Sequence, residues 1–80
     1  MSIDETLQRI FRRVMNDENL VLTDDLTAQE VEGWDSLSHV TLMFSIEQEF
    51  GIQFGGREFA ELGDVGELRR LIESKTSPQL

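Results

Sequence analysis

The sequence predicts an all-α protein: a small bundle of three main helices plus one short helix, with a long loop between the first and second helices. Apolar residues recur at helical spacing in three segments, capping residues stand at segment ends, and no segment shows convincing strand alternation. With 80 residues the chain has the length of one domain. We assign residues 1–76 to this domain and residues 77–80 to a short C-terminal tail.

The first predicted helix begins at Ser2, because residues 2–5 have the form of a capping box. Its apolar residues share one helical face: Ile3, Leu7, Ile10, Phe11 and Val14. This stripe ends at Asn16, where an acidic connection to Trp34 begins. Connections of such length are often functional in compact domains. The anchors that we expect to tie it to the core are Leu20, Leu22, Leu26, Val31 and Trp34.

The second helix is predicted from Ser36 to Phe50, with Gly51 as a left-handed cap. Its apolar residues cover more than half of its circumference: Leu37, Val40, Leu42, Met43, Phe44, Ile46 and Phe50. A helix this apolar is normally central to its fold. The alternative is that one apolar edge serves a ligand or a partner.

Two further helices are predicted after Gly56. Arg57 to Leu62 has room for one or two helical turns, closed by Gly63, and Asp64 then caps the last helix, which ends at Ser77-Pro78. The buried stripe of the last helix comprises Val65, Leu68, Leu71 and Ile72. The residues that we expect in the core of the bundle are Leu7, Phe11, Leu42, Ile46, Phe50, Leu68 and Leu71.

The net charge of −9 lies entirely in the middle of the chain. No Lys or Arg occurs between Val14 and Gly56, a stretch with nine carboxylates, whereas acids and bases balance elsewhere. Nucleic acids and anionic membranes attract basic surfaces, so neither is expected as a ligand. The charge favours a basic protein partner. The alternative is that the acidity only keeps the protein soluble.

Several classes of site and location are disfavoured by composition. The chain has no cysteine, which excludes disulfides and thiolate metal sites. Asp24 and Asp25 lack the ligand spacing of a calcium loop, so we expect no metal. No export segment is visible, and the longest uncharged run, Ser36 to Ile46, is too short to span a bilayer. We expect a cytoplasmic monomer.

The segment Asp35-Ser36-Leu37, followed by an apolar helix ending in E-x-E-F-G-I, resembles acyl carrier proteins. The resemblance extends over nearly the whole chain, including the helix lengths, the long first loop and the aspartate-capped last helix. It implies that a phosphopantetheinyl transferase attaches 4′-phosphopantetheine from coenzyme A to Ser36, with Asp35 and Leu37 beside the attachment point. The thiol of this arm would hold acyl groups as thioesters. The resemblance therefore implies a carrier and not an enzyme.

The chemistry of these residues agrees with that implication. Without cysteine, thioester chemistry needs an added group. A serine at a helix N-terminus offers an exposed hydroxyl, and the helix dipole favours an attached phosphodiester. The alternative is that Ser36, or Asp35 before it, is only a helix cap.

Two other functions compete with a carrier. W-D-S-L is similar to the G-D-S-L box of some esterases, and His39 is near, but Asp35, Ser36 and His39 fall within about one helical turn. His39 is therefore expected to be a surface or half-buried neighbour of the arm. A non-covalent acidic interaction domain is the second competitor, and it leaves D-S-L unexplained.

The resemblance also implies that partner enzymes contact the second helix. By position, the contact residues are Asp35, Leu37, Ser38, Thr41, Phe44, Glu47 and Gln48. The expected partners are the phosphopantetheinyl transferase and acyl-loading and acyl-processing enzymes with basic docking surfaces. Trp34 is expected to pin the loop to the core, with contact to the arm or its cargo as the alternative.

The chain departs from fatty-acid carriers on this helix. Three positions that are commonly acidic are neutral here: Ser38, Thr41 and Gln48. Phe44 replaces a frequent methionine and could narrow the entrance to an acyl pocket. These differences favour a carrier for a specialised lipid or secondary-metabolite pathway. The alternatives are the housekeeping carrier of fatty acid biosynthesis and an aminoacyl or peptidyl carrier.

Overall fold

The computed structural model describes residues 3–76, apart from the side chain of Phe59, and over this range it confirms the all-α bundle. In chain order the elements are α1 (Ile3–Met15), a 3-10 helix (Ala28–Glu30), α2 (Ser36–Phe50), α3 (Gly56–Ala60) and α4 (Val65–Thr76). None of the helices within residues 3–76 has the length and apolar character needed to cross a membrane. Ser2, Ser77-Pro78 and the tail at 77–80 lie outside the described residues, so the first capping box and the domain boundary stay predictions.

The core lies where α1 packs against α2 and α4. Its buried apolar side chains are Leu7, Ile10, Phe11, Met15, Val31, Leu42, Met43, Ile46, Val65, Leu68 and Ile72. Five of the seven expected core residues are among them, whereas Phe50 and Leu71 are only half-buried. Phe50 packs on the edge of the core as the last residue of α2. Leu71 lies beside the buried line of α4, which runs through Leu68 and Ile72.

The end of α1 fixes where the acidic loop begins. Asn16 adopts a left-handed conformation with φ of 55°. The N–H of Asp17 donates to the carbonyl of Arg12 at 3.0 Å, which closes a C-terminal capping motif. The predicted end of the first helix is confirmed.

The loop after α1 contains the 3-10 helix, which the sequence analysis did not predict. All five expected loop anchors contact the core: Val31 is buried, and Leu20, Leu22, Leu26 and Trp34 are partly buried against it. The Nε of Arg12 donates to the carbonyl of Leu20 at 2.8 Å. The loop is therefore held along its length.

The first turn of α4 holds the middle of the loop. The N–H of Val65 donates to the carbonyl of Leu26 at 2.9 Å, and the N–H of Gly66 donates to the carbonyl of Asp24 at 2.8 Å. These amides have no acceptor within their own helix. A Cβ at residue 66 would lie 2.9 Å from the Asp24 oxygen, so only glycine permits this approach. Arg69 also binds the Asp24 carboxylate, with contacts of 2.9 and 3.1 Å.

The third helix is shorter than expected. It occupies Gly56–Ala60 instead of Arg57 to Leu62, because Leu62 turns towards the core and Gly63 belongs to the next cap. The N–H of Gly63 donates to the Glu67 carboxylate at 2.7 Å, and that of Glu67 donates to Asp64 at 2.9 Å. The predicted cap at Asp64 is confirmed. The left-handed cap of α2 at Gly51 is also confirmed, with φ of 67°.

Leu42 and Leu37 offer a matched test of the core on one helix. Leu42 is fully buried, whereas Leu37 is 78% exposed. We expect Leu42→Ala to lower the free energy of unfolding by about 2–5 kcal/mol because it leaves a cavity. Leu37→Ala should change it by less than about 0.5 kcal/mol. Urea unfolding followed by circular dichroism measures both, and equal midpoints for the two variants would contradict this assignment of the buried face of α2.

Candidate functional site

Two side chains other than Ser36 cap α2. The N–H of Ser38 donates to the Asp35 carboxylate at 2.9 Å, and the N–H of Asp35 donates to the Ser38 hydroxyl at 2.8 Å. The Ser38 hydroxyl in turn donates to the carbonyl of Gly33 at 2.6 Å. This reciprocal arrangement is a capping box, and it locks the turn that leads into the helix.

Ser36 is the first residue of α2 and is exposed. Because the Asp35 carboxylate caps the start of α2, the Ser36 hydroxyl is not needed there as an acceptor for backbone N–H groups. The sequence left open whether Ser36 or Asp35 caps the helix, and in the structure Asp35 is the cap. Ser36 stands at the positive end of the helix dipole, where an attached anionic group is favoured.

The Asp35 carboxyl has a pKa below the ordinary value for aspartate. The backbone N–H of Ser38 donates to the carboxylate, and the Ser38 hydroxyl lies 3.1 Å from the same oxygen; both lower the pKa of Asp35 below its ordinary value. The stability that this ionised cap contributes is complete at neutral pH. It is lost as the pH falls through the ordinary carboxyl range towards the lowered pKa, since protonation weakens the acceptor.

An open groove of about 510 Å³ borders Ser36. Its walls come from four parts of the chain: Ala28, Trp34, Asp35, Ser36, His39, Val40 and Ala60. Ala28, Val40 and Ala60 were not predicted from the sequence as groove residues. Phe44 is 58% exposed and is not among the residues that line this groove; its effect on the entrance to an acyl pocket stays a prediction.

Trp34 joins this groove to the core. Its ring meets Phe11 edge to face, with centroids 5.1 Å apart, and lies nearly parallel to the His39 ring. The Trp34 Nε1–H donates to the Nδ1 of His39 at 3.0 Å. Trp34 therefore pins the loop, as expected, and also forms part of the groove wall.

The arrangement around Ser36 does not form a hydrolytic triad. The Asp35 carboxylate caps α2 through Ser38, and the Nδ1 of His39 accepts from Trp34. A triad requires the carboxylate to orient the histidine that activates the serine. Over the part of the chain that the structure describes, no group of three or more His, Cys, Asp or Glu side chains is placed to hold a metal ion.

The residues expected to meet partners differ in how they are presented. Leu37, Thr41, Phe44 and Gln48 are exposed on α2. Ser38 and Glu47 are half-buried and engaged within the chain, Ser38 in the cap and Glu47 through its Oε2, which accepts from the N–H of Phe54 at 2.8 Å. The role of each of these residues in partner binding stays a prediction.

Comparisons with known proteins agree on one family. The sequence profile of the family described as "phosphopantetheine attachment site" matches residues 5–72. Among solved structures, the solution structure of a holo acyl carrier protein from Geobacter metallireducens is similar, with a TM-score of 0.85 and 39% sequence identity. That match covers 94% of this chain and 86% of the other.

The amide proton of Ser38 should report the titration of Asp35, because it donates to that carboxylate. In an NMR titration we expect its chemical shift to change with a midpoint below about 3.9, the ordinary value for aspartate. Asp35→Asn keeps a capping oxygen but cannot ionise, so the transition should vanish while the helix persists. A midpoint at or above the ordinary value would contradict the cap geometry.

Proposed function

The chain belongs to the phosphopantetheine attachment family, with the fold and carrier role of an acyl carrier protein, and on this premise we propose that Ser36 is its attachment residue. Proteins of this family are carriers and not enzymes, and their covalent cofactor is 4′-phosphopantetheine. The carrier holds acyl groups as thioesters on this arm and presents them to partner enzymes.

One observation carries the assignment to Ser36. Asp35 and Ser38 cap the start of α2 with reciprocal hydrogen bonds. The hydroxyl of Ser36, the first helical residue, is therefore left exposed. Ser45, on the same helix, is half-buried and far from the N-terminus. Among the serines within residues 3–76, Ser36 alone combines an exposed side chain with the favourable end of the helix dipole and an adjoining groove.

The loading step uses Ser36 as a nucleophile. Its Oγ forms a bond to the phosphorus that carries pantetheine in coenzyme A, and the phosphoanhydride bond breaks, releasing adenosine 3′,5′-bisphosphate. The hydroxyl proton passes to a base of the transferase. The carrier contributes the exposed oxygen and the dipole of α2.

The residues around Ser36 fit the attached group. When bound, 4′-phosphopantetheine supplies the thiol that this cysteine-free chain lacks. The first turn of α2 would stabilise the phosphodiester charge, and Trp34, Asp35 and Val40 line the groove beside the attachment point. Because the arm tethers the cargo, the cargo meets the active site of a docked enzyme in an intramolecular step instead of a bimolecular one.

We further propose a specialised lipid or secondary-metabolite pathway, with a cytoplasmic, monomeric carrier. The neutral side chains on α2 at Ser38, Thr41 and Gln48 support this over a housekeeping fatty-acid carrier or an aminoacyl carrier. The proposed partners are a phosphopantetheinyl transferase and acyl-loading and acyl-processing enzymes.

Intact-mass spectrometry tests the assignment directly. Incubation with coenzyme A and a transferase of broad carrier specificity should add the mass of one phosphopantetheine. Ser36→Ala should abolish the gain without loss of helical circular dichroism, whereas Ser45→Ala on the same helix should still be modified. A wild-type chain that several transferases leave unmodified would favour a non-covalent interaction domain.

A further inference from the structure

Two rings of the groove wall, Trp34 and His39, take no part in the loading step. The Nε1–H of Trp34 donates to the Nδ1 of His39 at 3.0 Å. The ring planes differ by 21° and the ring centroids are 6.1 Å apart, so the rings meet at their edges, through the bonded nitrogens. An Nδ1 that accepts a hydrogen bond belongs to a neutral imidazole. The contact therefore requires uncharged His39.

Protonation of His39 would reverse the role of its Nδ1. Both nitrogens of an imidazolium carry a proton, so Nδ1 would face the Trp34 N–H as a second donor. The edge of an aromatic ring also carries partial positive charge, which repels a cation placed against it. Trp34 would lose this hydrogen bond and keep its edge-to-face packing on Phe11. The charge of His39 thus decides how firmly the Trp34 ring is held in the groove wall.

Ser36 lies three residues before His39 on α2, and both residues line the groove. Side chains at this spacing are neighbours on a helix surface, with Cβ atoms about 5–6 Å apart. Helical side chains also point back towards the N-terminus, which directs the His39 ring towards the turn that carries Ser36. An anion attached to Ser36 would therefore lie beside His39 and favour its protonated form.

The other charges around the groove do not change when Ser36 is modified. Among the groove-lining residues, Asp35 is the one other acid or base, and its carboxylate accepts from the N–H of Ser38. The 3-10 helix and α3 contribute Ala28 and Ala60 to the wall. The further charged side chains of the loop, of α3 and near the pair on α1 have contacts of their own or line another crevice: Arg12 with Leu20, Glu30 with Thr27, Arg57 with Glu61, Glu58 with Lys75, and Glu32 beside Asn16.

We propose that His39 couples attachment at Ser36 to the groove wall: neutral His39 holds Trp34 in the unmodified carrier, and the phosphodiester on Ser36 favours protonated His39, which releases Trp34. The proposal rests on the proposed attachment at Ser36. His39 is a positioning residue, because it acts through Trp34 and takes no part in the transfer. The released N–H of Trp34 donates to water in the open groove. The wall is therefore held more tightly before loading than after it.

NMR titration tests this coupling, because the chain has one histidine and one tryptophan. The imidazole ¹⁵N shifts report the protonation of His39, and the indole N–H shift reports its bond to Trp34. Once mass spectrometry confirms the arm, the His39 titration midpoint should lie about 0.5–2 pH units higher in the modified carrier than in the unmodified one. This range corresponds to one charge about 5–6 Å away at an effective dielectric constant between about 80 and about 20.

The indole signal should change with the same midpoint as the imidazole in each form. The difference in midpoint between the two forms should shrink near 1 M salt, where the screening length is about 3 Å. His39→Asn is the matched variant, since its amide oxygen can accept from Trp34 but does not titrate. Its indole signal should stay constant from about pH 5 to about pH 8, with or without the arm.

Two substitutions at Ser36 separate the charge from the arm. Ser36→Glu places a carboxylate at the attachment position without any transferase and should also raise the His39 midpoint. Ser36→Ala, incubated with coenzyme A and transferase, should titrate like the unmodified wild type. Circular dichroism confirms that each variant is folded.

The outcomes distinguish this coupling from the proposed function. Equal midpoints in the modified and unmodified carriers would overturn the coupling, and so would an indole transition that persists in His39→Asn. An imidazole midpoint that rises while the indole signal fails to follow it would overturn it as well. If the wild type accepts no arm but Ser36→Glu shifts both signals, the coupling of His39 to Trp34 stands and the assignment of Ser36 as attachment residue is removed.

Discussion

The unpaired amides at the start of α2 set the constraint on which the site depends. A helix start exposes N–H groups that need acceptors, and here Asp35 and Ser38 meet that need within one turn. The consequence is a separation of roles between neighbouring residues. Asp35 stabilises the helix, and Ser36 keeps an exposed hydroxyl at the same helix end. Had the serine been the cap, its oxygen would have been engaged with the backbone.

At the start of α4 an aspartate cap, Asp64, accepts from one N–H, and the acidic loop supplies acceptors for two others. The amides of Val65 and Gly66 find their acceptors in the acidic loop, at Leu26 and Asp24, so the loop is fastened to a helix distant in sequence. With the loop held there, the 3-10 helix brings Ala28 to the groove beside Ser36. Lys75 of α4 pairs with Glu58 of α3 at 2.9 Å, on the helix that brings Ala60 to the same groove. Contacts to α4 thus position the walls that Ala28 and Ala60 provide, whereas the Trp34 wall packs on Phe11 of α1.

Local patterns predicted the helices and the start of α2 at Ser36 well. The left-handed cap at Gly51, the aspartate cap at residue 64 and the position of Ser36 depend on a few neighbouring residues. The walls of the groove could not be predicted, because Ala28 and Ala60 meet Ser36 only through long-range packing. The direction of Phe44 was ambiguous, since apolar residues cover more than half of α2 and periodicity then defines no single buried face.

Trp34 has a practical consequence for following this protein in solution. It is the only tryptophan of the chain, and it lies in the wall of the groove next to Ser36. Its indole is bonded to His39 and packed on Phe11, so its surroundings combine a polar ring, the core and open solvent. Intrinsic fluorescence therefore arises from one place in the molecule, at the edge of the site. The carrier contains its own optical probe of groove occupancy, and no dye or label is needed.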